Sequence, residues 1–236
     1  MSGFVVGISG GIDSALTSTL CARTGKRVLC LNMPIHQRSG EYKRSKEHIS
    51  WLEHEFPNVK GVEINLTPAF DGFVQAMPTL VQDDHLSLAN SRARLRMTTL
   101  YAVGQSNRLL VAGTGNKVED FGIGFFTKYG DGGVDLSPIA GLMKSQVYAV
   151  AEHLGVSEQI LNAPPTDGLW TDGRNDEDQI GATYDELEWA MEFDGRESDL
   201  SERQKEVLSI YRKFHRINQH KMIPIPVCAI PDSLMK

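Results

Sequence analysis

The sequence has few cysteines and no arrangement of them that suggests a special site. Cys21, Cys30 and Cys228 are the three present in 236 residues, and no two form a CxxC pair. That spacing indicates neither a zinc site nor a disulfide framework. We therefore expect buried, free thiols in a cytoplasmic protein.

Long apolar runs and excess positive charge are also missing. No run approaches the roughly 18 apolar residues of a membrane-spanning helix, and the start of the chain does not read as a secretory signal. The 24 Lys and Arg residues are outnumbered by 30 Asp and Glu, which gives a net charge of −6. A dedicated nucleic-acid binder should carry a basic excess instead. We expect neither a membrane nor a nucleic-acid partner.

What the sequence does contain is an alternation of strand and helix patterns. Apolar residues make up 41% of the chain, which is enough for a sizeable core. Short β-branched runs and longer helical patterns alternate, and this predicts a doubly wound parallel sheet with helices on both faces, in a single domain over residues 1–236. The predicted strands are 4–9, 27–34, 59–66 and 108–114, with a short final one at 223–229, and the predicted helices are 13–24, 41–56, 86–105, 143–154, 183–192 and 201–215.

A glycine–serine loop, "GISGGIDS" at residues 7–14, follows the first predicted strand. Backbone N–H groups between a strand and a helix can converge on an anion, so Ser9, Gly10, Gly11 and Ser14 are typical of a phosphate cradle. A Walker loop would end in GK[ST], but here Asp13 opens the helix. An aspartate beside phosphates requires Mg²⁺ between them. The alternative is a plain strand–turn–helix with Asp13 as its N-cap.

"SGGIDS" resembles the pyrophosphate loop of the adenine-nucleotide α-hydrolases, a Rossmann-like superfamily that cleaves ATP to AMP and pyrophosphate. Further segments resemble one family within it, the ammonia-dependent NAD synthetases. They occur in order along nearly the whole chain: "SRARLRM" at 91–97, "GTGNKVEDFGIGFFTKYGDGGVDLSPIAGLMKSQVY" at 113–148, "PPTDGL" at 164–169, "DEDQIGATYDELE" at 176–188 and "HK" at 220–221. The interval from Glu119 to Phe125 is one residue longer than is usual for that family.

The resemblance implies a reaction and a set of site residues. ATP would adenylate the nicotinate carboxylate of deamido-NAD, and ammonia would displace AMP to give NAD. Asp13 and Glu119 would hold Mg²⁺, with Asp13 and Lys144 as catalytic residues. The implied ATP ligands are Gly7, Ile8, Ser9, Gly10, Gly11, Ile12, Asp13, Ser14, Thr114, Lys144 and Thr166. The implied deamido-NAD ligands are Arg94, Lys128, Asp135, His220 and Lys221.

Some points stay open from the sequence. The residues alone favour a solvated surface acid at Glu119, and Arg94 is equally compatible with a side chain at the core edge. A buried aspartate should deprotonate ammonium, and Asp131 and Asp167 are the candidates. The polar loops near residues 36–46 and 166–179 are predicted to close over the site.

The resemblance further implies a homodimer, and we expect no glutamine amidotransferase domain. The alternatives are another ATP-pyrophosphatase, such as a GMP-synthetase-type amidating ligase or a tRNA-modifying enzyme, and a non-catalytic ATP-binding module.

Overall fold

The computed structural model describes residues 2–164 and 176–235. Strands and helices alternate through the first half of the chain, as the sequence predicts. The strands are β1 Gly3–Gly7, β2 Arg27–Asn32, β3 Val59–Glu63 and β4 Leu110–Val111. The helices are α1 Ile12–Arg23, α2 Ser39–Glu55, α3 Thr67–Ala76, α4 Thr79–Gln82, α5 His85–Asn107, α6 Lys144–His153, α7 Glu158–Leu161, α8 Asp176–Ile180, α9 Tyr184–Glu192 and α10 Glu202–Met222. A π-helix occupies Lys117–Ile123, and single 3₁₀ turns occupy Glu197–Asp199 and Asp232–Leu234.

The four strands form one parallel sheet in the order β3-β2-β1-β4. The chain moves outward from β1 to β3 on one side and then returns to place β4 on the other side of β1. The strand order therefore reverses between β1 and β4, and ligands of open α/β sheets bind beyond the strand ends at such a point. The first and fourth strands are thus neighbours, and the glycine–serine loop and Thr114 both follow strand ends at this point.

Helices cover both faces of the sheet, which confirms the predicted fold class. On one face, Cys21 of α1 and Leu52 of α2 pack against Val6, Val28 and Cys30 of the strands. On the other face, α3 and α5 pack over a second cluster that includes the fully buried Val5, Leu31 and Val111. The two central strands, β1 and β2, are largely buried and apolar on both sides, so they form the centre from which the loops at the sheet edge extend.

Two further apolar clusters extend the core beyond the sheet. In one, α6 and α7 pack against α1 around Leu16, Ile139 and Val147. In the other, the π-helix packs against α9 and α10 around Val118 and Leu187. These clusters attach the second half of the chain to the carboxyl edge of the sheet.

Several predicted boundaries were wrong. β4 is two residues long rather than seven. Arg108 caps α5 in the left-handed conformation (φ 59°), and beyond Val111 the pairing is reduced to one bond from Ala112 N to Val5 O and a single bridge between Ala112 and Leu136. The predicted strand at 223–229 is irregular, since Pro224 and Pro226 cannot donate ladder hydrogen bonds. Residues 39–46, assigned partly to a loop, belong to α2, and residues 176–179 belong to α8.

The cysteines bear out the sequence prediction in part. All three are free, and burial raises the pKa of Cys21 and of Cys30 to about 12. Cys228 is exposed, so the prediction of burial was wrong for it. Within the described residues, no helix is long and apolar enough to cross a membrane.

A buried histidine on α2 leads to a prediction about stability. His48 Nε2 lies 3.0 Å from Ser18 Oγ, its ring stacks on Trp51, and burial lowers its pKa to about 4. The unfolded chain takes up this proton near pH 6.5 and the folded chain does not, so stability should fall as the pH drops from 6.5 towards 4. The part due to His48 reaches about 3 kcal/mol.

We expect His48→Gln to flatten this acid-side decline in the free energy of unfolding, measured by urea denaturation at several pH values. His54→Gln on the same helix is the control, because His54 is exposed. Equal pH dependence in wild type and His48→Gln would contradict the assignment.

Candidate active site

The glycine–serine loop connects β1 to α1 at the carboxyl edge of the sheet. Gly11 is the N-cap of α1, and it has an extended conformation with no side-chain cap. Ser9 N donates to Ser14 Oγ at 3.2 Å, Ser14 Oγ donates to Gly11 O at 2.9 Å, and Gly11 N donates to Ser9 Oγ at 3.2 Å. These contacts hold the loop around the start of α1, where helix N–H groups favour an anion.

Gly10 explains why the loop needs a glycine at one position. Its φ of +88° lies in the left-handed region, and an added Cβ would meet Glu41 O of α2 at 2.5 Å. Arg44 Nε on α2 donates to Gly10 O at 3.0 Å. The glycine therefore allows α2 to pack directly against the loop and hold it.

A cavity of about 260 Å³ opens in front of this loop. It lies at the reversal of strand order, between the loop, α2, α5 and the segment after β4. The predicted ATP ligands that line it are Gly7, Ile8, Ser9, Gly11, Ile12, Asp13, Ser14, Thr114 and Lys144. Gly10 faces α2 instead, and Thr166 lies outside the described residues, as does Asp167.

Three charged side chains meet at one wall of the cavity. Lys144 Nζ at the start of α6 donates to Asp13 Oδ2 at 2.7 Å and to Glu119 Oε1 at 2.9 Å. The Lys144 side chain is 3% exposed, against 19% for Asp13 and 17% for Glu119. Glu119 is therefore not a solvated surface acid. Asp13 is not the N-cap of α1, because Gly11 has that position. The acid–lysine–acid cluster is an internal charge network facing the cavity.

Burial and mutual attraction shift the pKa values in this cluster. Burial raises the pKa of Asp13, despite the opposing effect of Lys144. Burial also acts to raise the pKa of Glu119, but Lys144 and the hydroxyl of Tyr184 outweigh it and lower that pKa. Burial acts to lower the pKa of Lys144, but the two carboxylates outweigh it and raise that pKa. Lys144 therefore stays charged at neutral pH.

Two residues that the sequence reading missed hold the cluster in place. The buried Asn116 donates from Nδ2 to Asp13 Oδ1 at 3.0 Å and accepts at Oδ1 from Glu119 N at 3.0 Å. Tyr184, at the start of α9, donates from its hydroxyl to Glu119 Oε1 at 2.5 Å. Both lie in segments that carried the family resemblance, but only the folded chain shows that they contact the acids.

Two more acids lie close to the same network. Burial raises the pKa of Asp120 to about 8, with further contributions from Glu119 and Asp131. Desolvation by the surrounding protein raises the pKa of Asp131, which lines the cavity and accepts a hydrogen bond at Oδ1 from Thr127 N at 2.9 Å. Asp131, one of the two candidates for the base that deprotonates ammonium, therefore faces the cavity. The other candidate, Asp167, lies outside the described residues.

Another wall of the cavity comes from α2, α5 and the segment between β2 and α2. Arg96 donates from Nε to Met33 O at 3.1 Å and from Nη2 to Gln37 Oε1 at 2.9 Å, and Gln37 Nε2 donates to the buried Glu41. Burial lowers the pKa of Arg96 to about 10. The sequence analysis named Arg94 and not Arg96, but Arg96 lines this cavity and Arg94 does not. Residues 39–46 of the predicted lid at 36–46 belong to α2, from which Glu41 and Arg44 line the cavity.

The predicted deamido-NAD ligands lie outside this cavity. Three of them form a chain of contacts, and a fourth, Lys221, bonds to carbonyls of the segment just before Lys128. Arg94 donates to Lys128 O at 3.3 and 3.4 Å, Lys128 Nζ donates to His220 O, and Lys221 Nζ donates to Gly124 O and Phe126 O at 2.9 Å. Asp135 lies apart from them and accepts from Val111 N at 2.9 Å and Tyr101 OH at 3.1 Å, so it stabilises the end of β4.

The donor set fits Mg²⁺ held jointly with a nucleotide. Asp13 and Glu119 offer carboxylate oxygens at the cavity wall, which are the hard ligands that Mg²⁺ prefers. Among the described residues, no group of three or more His, Cys, Asp or Glu side chains could hold a metal by itself. Mg²⁺ commonly uses one or two carboxylates and completes its shell with water and substrate phosphates.

The fold and site together define an α/β protein with a phosphate-type loop and a cavity at the reversal of strand order, the place where such sheets bind nucleotides. The sequence model of the NAD synthase family matches residues 1–223. A relative from Mesoplasma florum, named NH(3)-dependent NAD(+) synthetase, is 37% identical over 93% of this chain and 85% of its own. The chain belongs to the NAD synthase family.

Solved structures agree with this assignment. The structure of NMN synthetase from Francisella tularensis is 33% identical and superposes with a TM-score of 0.85 over 97% of this chain and 90% of that one. The NH3-dependent NAD synthetase from Campylobacter jejuni is 27% identical, with a TM-score of 0.74 over 97% and 90% of the two chains.

Proposed function

We propose that this chain amidates the nicotinate carboxylate of deamido-NAD with ammonia, using ATP and releasing AMP and pyrophosphate. The observation that carries the proposal is the Asp13–Lys144–Glu119 cluster beside the glycine–serine loop at the reversal of strand order. The family assignment supports the reaction, and the named relatives use ammonia. A GMP-synthetase-type reaction and a non-catalytic module are not favoured.

In the first step, a carboxylate oxygen of deamido-NAD attacks the α-phosphorus of ATP. The bond between that phosphorus and the oxygen bridging to the β-phosphorus breaks, and pyrophosphate leaves with the bridging oxygen. The loop at residues 9–14 and the N-terminus of α1 hold the departing pyrophosphate. Lys144 contacts the negative charge that develops at the α-phosphate. Mg²⁺, held by Asp13 and Glu119, would neutralise phosphate charge when bound.

In the second step, ammonia attacks the acyl carbon of the adenylate and AMP leaves with the bridging oxygen. Ammonium must first lose a proton, and the attacking nitrogen loses a second one as the amide forms. Asp131 is the proposed base, because it faces the cavity and burial raises the pKa of its carboxyl, which makes the carboxylate a better proton acceptor.

Arg94, Lys128, Asp135, His220 and Lys221 are proposed to contact deamido-NAD. The proposal also includes a homodimer and a cytoplasmic location. The family resemblance supports the homodimer, and the free cysteines support the location.

The likeness to a protein described as an NMN synthetase gives a second candidate substrate. The same amidation, applied to nicotinate mononucleotide, would yield NMN. Amidation of the shared nicotinate carboxylate requires the same cluster for either substrate, so the two candidates differ only in whether the second nucleotide contributes to binding.

The experiment compares deamido-NAD with nicotinate mononucleotide at equal concentration, with Mg·ATP and either ammonium or glutamine, and separates the products by liquid chromatography. We expect NAD from deamido-NAD with ammonium and little product with glutamine. A higher kcat/KM for the mononucleotide would reassign the substrate. Product formation from glutamine equal to that from ammonium would contradict the proposed nitrogen source.

A further inference from the structure

Tyr184 contacts two members of the charged cluster while lying outside the cavity lining. Its hydroxyl donates to Glu119 Oε1 at 2.5 Å, and the same oxygen accepts from Lys144 Nζ at 2.9 Å. The face of its ring lies 4.7 Å from Lys144 Nζ, a distance at which an ammonium is attracted to the ring. A single side chain therefore acts on the predicted metal ligand and on the predicted catalytic lysine.

The surrounding structure holds Tyr184 in one place. It is 6% exposed and packs in the cluster formed by the π-helix, α9 and α10. It follows the N-cap of α9, where Thr183 and Glu186 form a reciprocal capping box. Glu186 is in turn bonded by Arg203 of α10 at 2.7 and 2.8 Å. Tyr184 N also donates to Glu177 Oε1 at 2.9 Å.

The geometry points to Tyr184 as a positioning residue, which fixes the orientation of the Glu119 carboxylate and supports Lys144 so that both meet Mg·ATP. With Oε1 held by the phenol and the lysine, Oε2 is the oxygen that Glu119 offers to a metal. The orienting groups behind metal ligands commonly change metal affinity by about 10–100-fold when they are removed. This inference rests on the proposed function, because it assigns Tyr184 to the same ATP site.

The hydroxyl and the ring can be tested separately. Tyr184→Phe keeps the ring beside Lys144 and removes the hydroxyl, which donates to Glu119 and also lies 3.3 Å from Asp176 Oδ2. We expect a rise of roughly tenfold in the KM for Mg·ATP, with kcat little changed. Tyr184→Leu also removes the ring, so it should additionally lower kcat. Tyr211→Phe is the matched control, because it removes a hydroxyl from the same apolar cluster and Tyr211 packs on His215 instead.

A binding measurement separates this inference from the proposed reaction. The affinity for Mn²⁺ in the presence of a non-hydrolysable ATP analogue, measured by electron paramagnetic resonance on the full-length protein, should fall about tenfold in Tyr184→Phe and stay unchanged in Tyr211→Phe. A loss of this size would support the inference even if neither pyridine nucleotide proved to be a substrate. Wild-type Mn²⁺ affinity in Tyr184→Phe would overturn it, even if the wild-type enzyme produced NAD as proposed.

Discussion

Lys144→Met is expected to lose both stability and turnover. The substitution keeps the length of the side chain but leaves Asp13 and Glu119 together in a largely buried site without their shared cation. Removing one partner from a buried ion pair costs about 3–5 kcal/mol. Turnover should fall by about a thousandfold, because a positioned charge at the reacting phosphate is lost. Thermal denaturation and steady-state kinetics measure the two effects.

The metal assignment makes a further prediction for this variant. A divalent cation can replace the lost ammonium between the two carboxylates, so millimolar Mg²⁺ should raise the melting temperature of Lys144→Met more than that of wild type. Lys43→Met is the control, because it removes an exposed pair with Glu47 whose contribution should be below about 1 kcal/mol. If Lys144→Met is as stable as Lys43→Met, the buried charge network has been assigned incorrectly.

Asp13→Asn should separate an enzyme from a nucleotide-binding module. The asparagine is nearly isosteric, and Lys144 can still pair with Glu119. The variant nevertheless loses one of two carboxylates offered to Mg²⁺. We expect turnover to fall by at least about a hundredfold while the protein stays folded and still binds ATP. Kinetics and isothermal titration calorimetry measure the two quantities.

Asp232→Asn is the control for this variant, since Asp232 lies in the exposed C-terminal 3₁₀ turn. Unchanged turnover in Asp13→Asn would remove Asp13 from the metal site. A sensor module, by contrast, would show no turnover in the wild type and similar nucleotide affinity in both proteins.

The sequence predicted the features of the fold that depend on residues close together in the chain, such as strand and helix periodicity. Strand and helix periodicities indicated a parallel sheet, and the glycine–serine pattern indicated a phosphate-type loop between β1 and α1. The irregular segment at 223–229 was predicted as a strand from its apolar residues, although Pro224 and Pro226 argued against it. Residues 223–229 show that apolar content alone does not make a strand.

The segment from Glu119 to Phe125, which the sequence analysis expected to be one residue longer than is usual, contains the end of a π-helix. The segment Lys117–Ile123 is a π-helix, and Phe125 N donates to Glu119 O at 2.8 Å. One additional residue in a helical turn is commonly accommodated by wider π-type winding. The sequence pattern did not indicate the π-helix or the contact between Glu119 and Lys144.

Contacts between distant segments account for what the sequence could not show. Tyr184 and Glu119 are 65 residues apart, and Lys144 and Asp13 are 131 apart. Their meeting depends on how α6 and α9 pack against α1 and the π-helix, which no local pattern specifies. The same holds for Arg96, whose direction relative to the cavity is set by the packing of α5 on the sheet.

The central claim is that the chain joins ATP and a nicotinate carboxylate through an acyl-adenylate. The most direct test uses deamido-NAD labelled with ¹⁸O in both carboxylate oxygens, with Mg·ATP and ammonium, and follows the products by ³¹P NMR and mass spectrometry. The account predicts one labelled oxygen in the phosphate of AMP, one in the amide of NAD, and unlabelled pyrophosphate. Unlabelled AMP, or ADP and phosphate in its place, would contradict it.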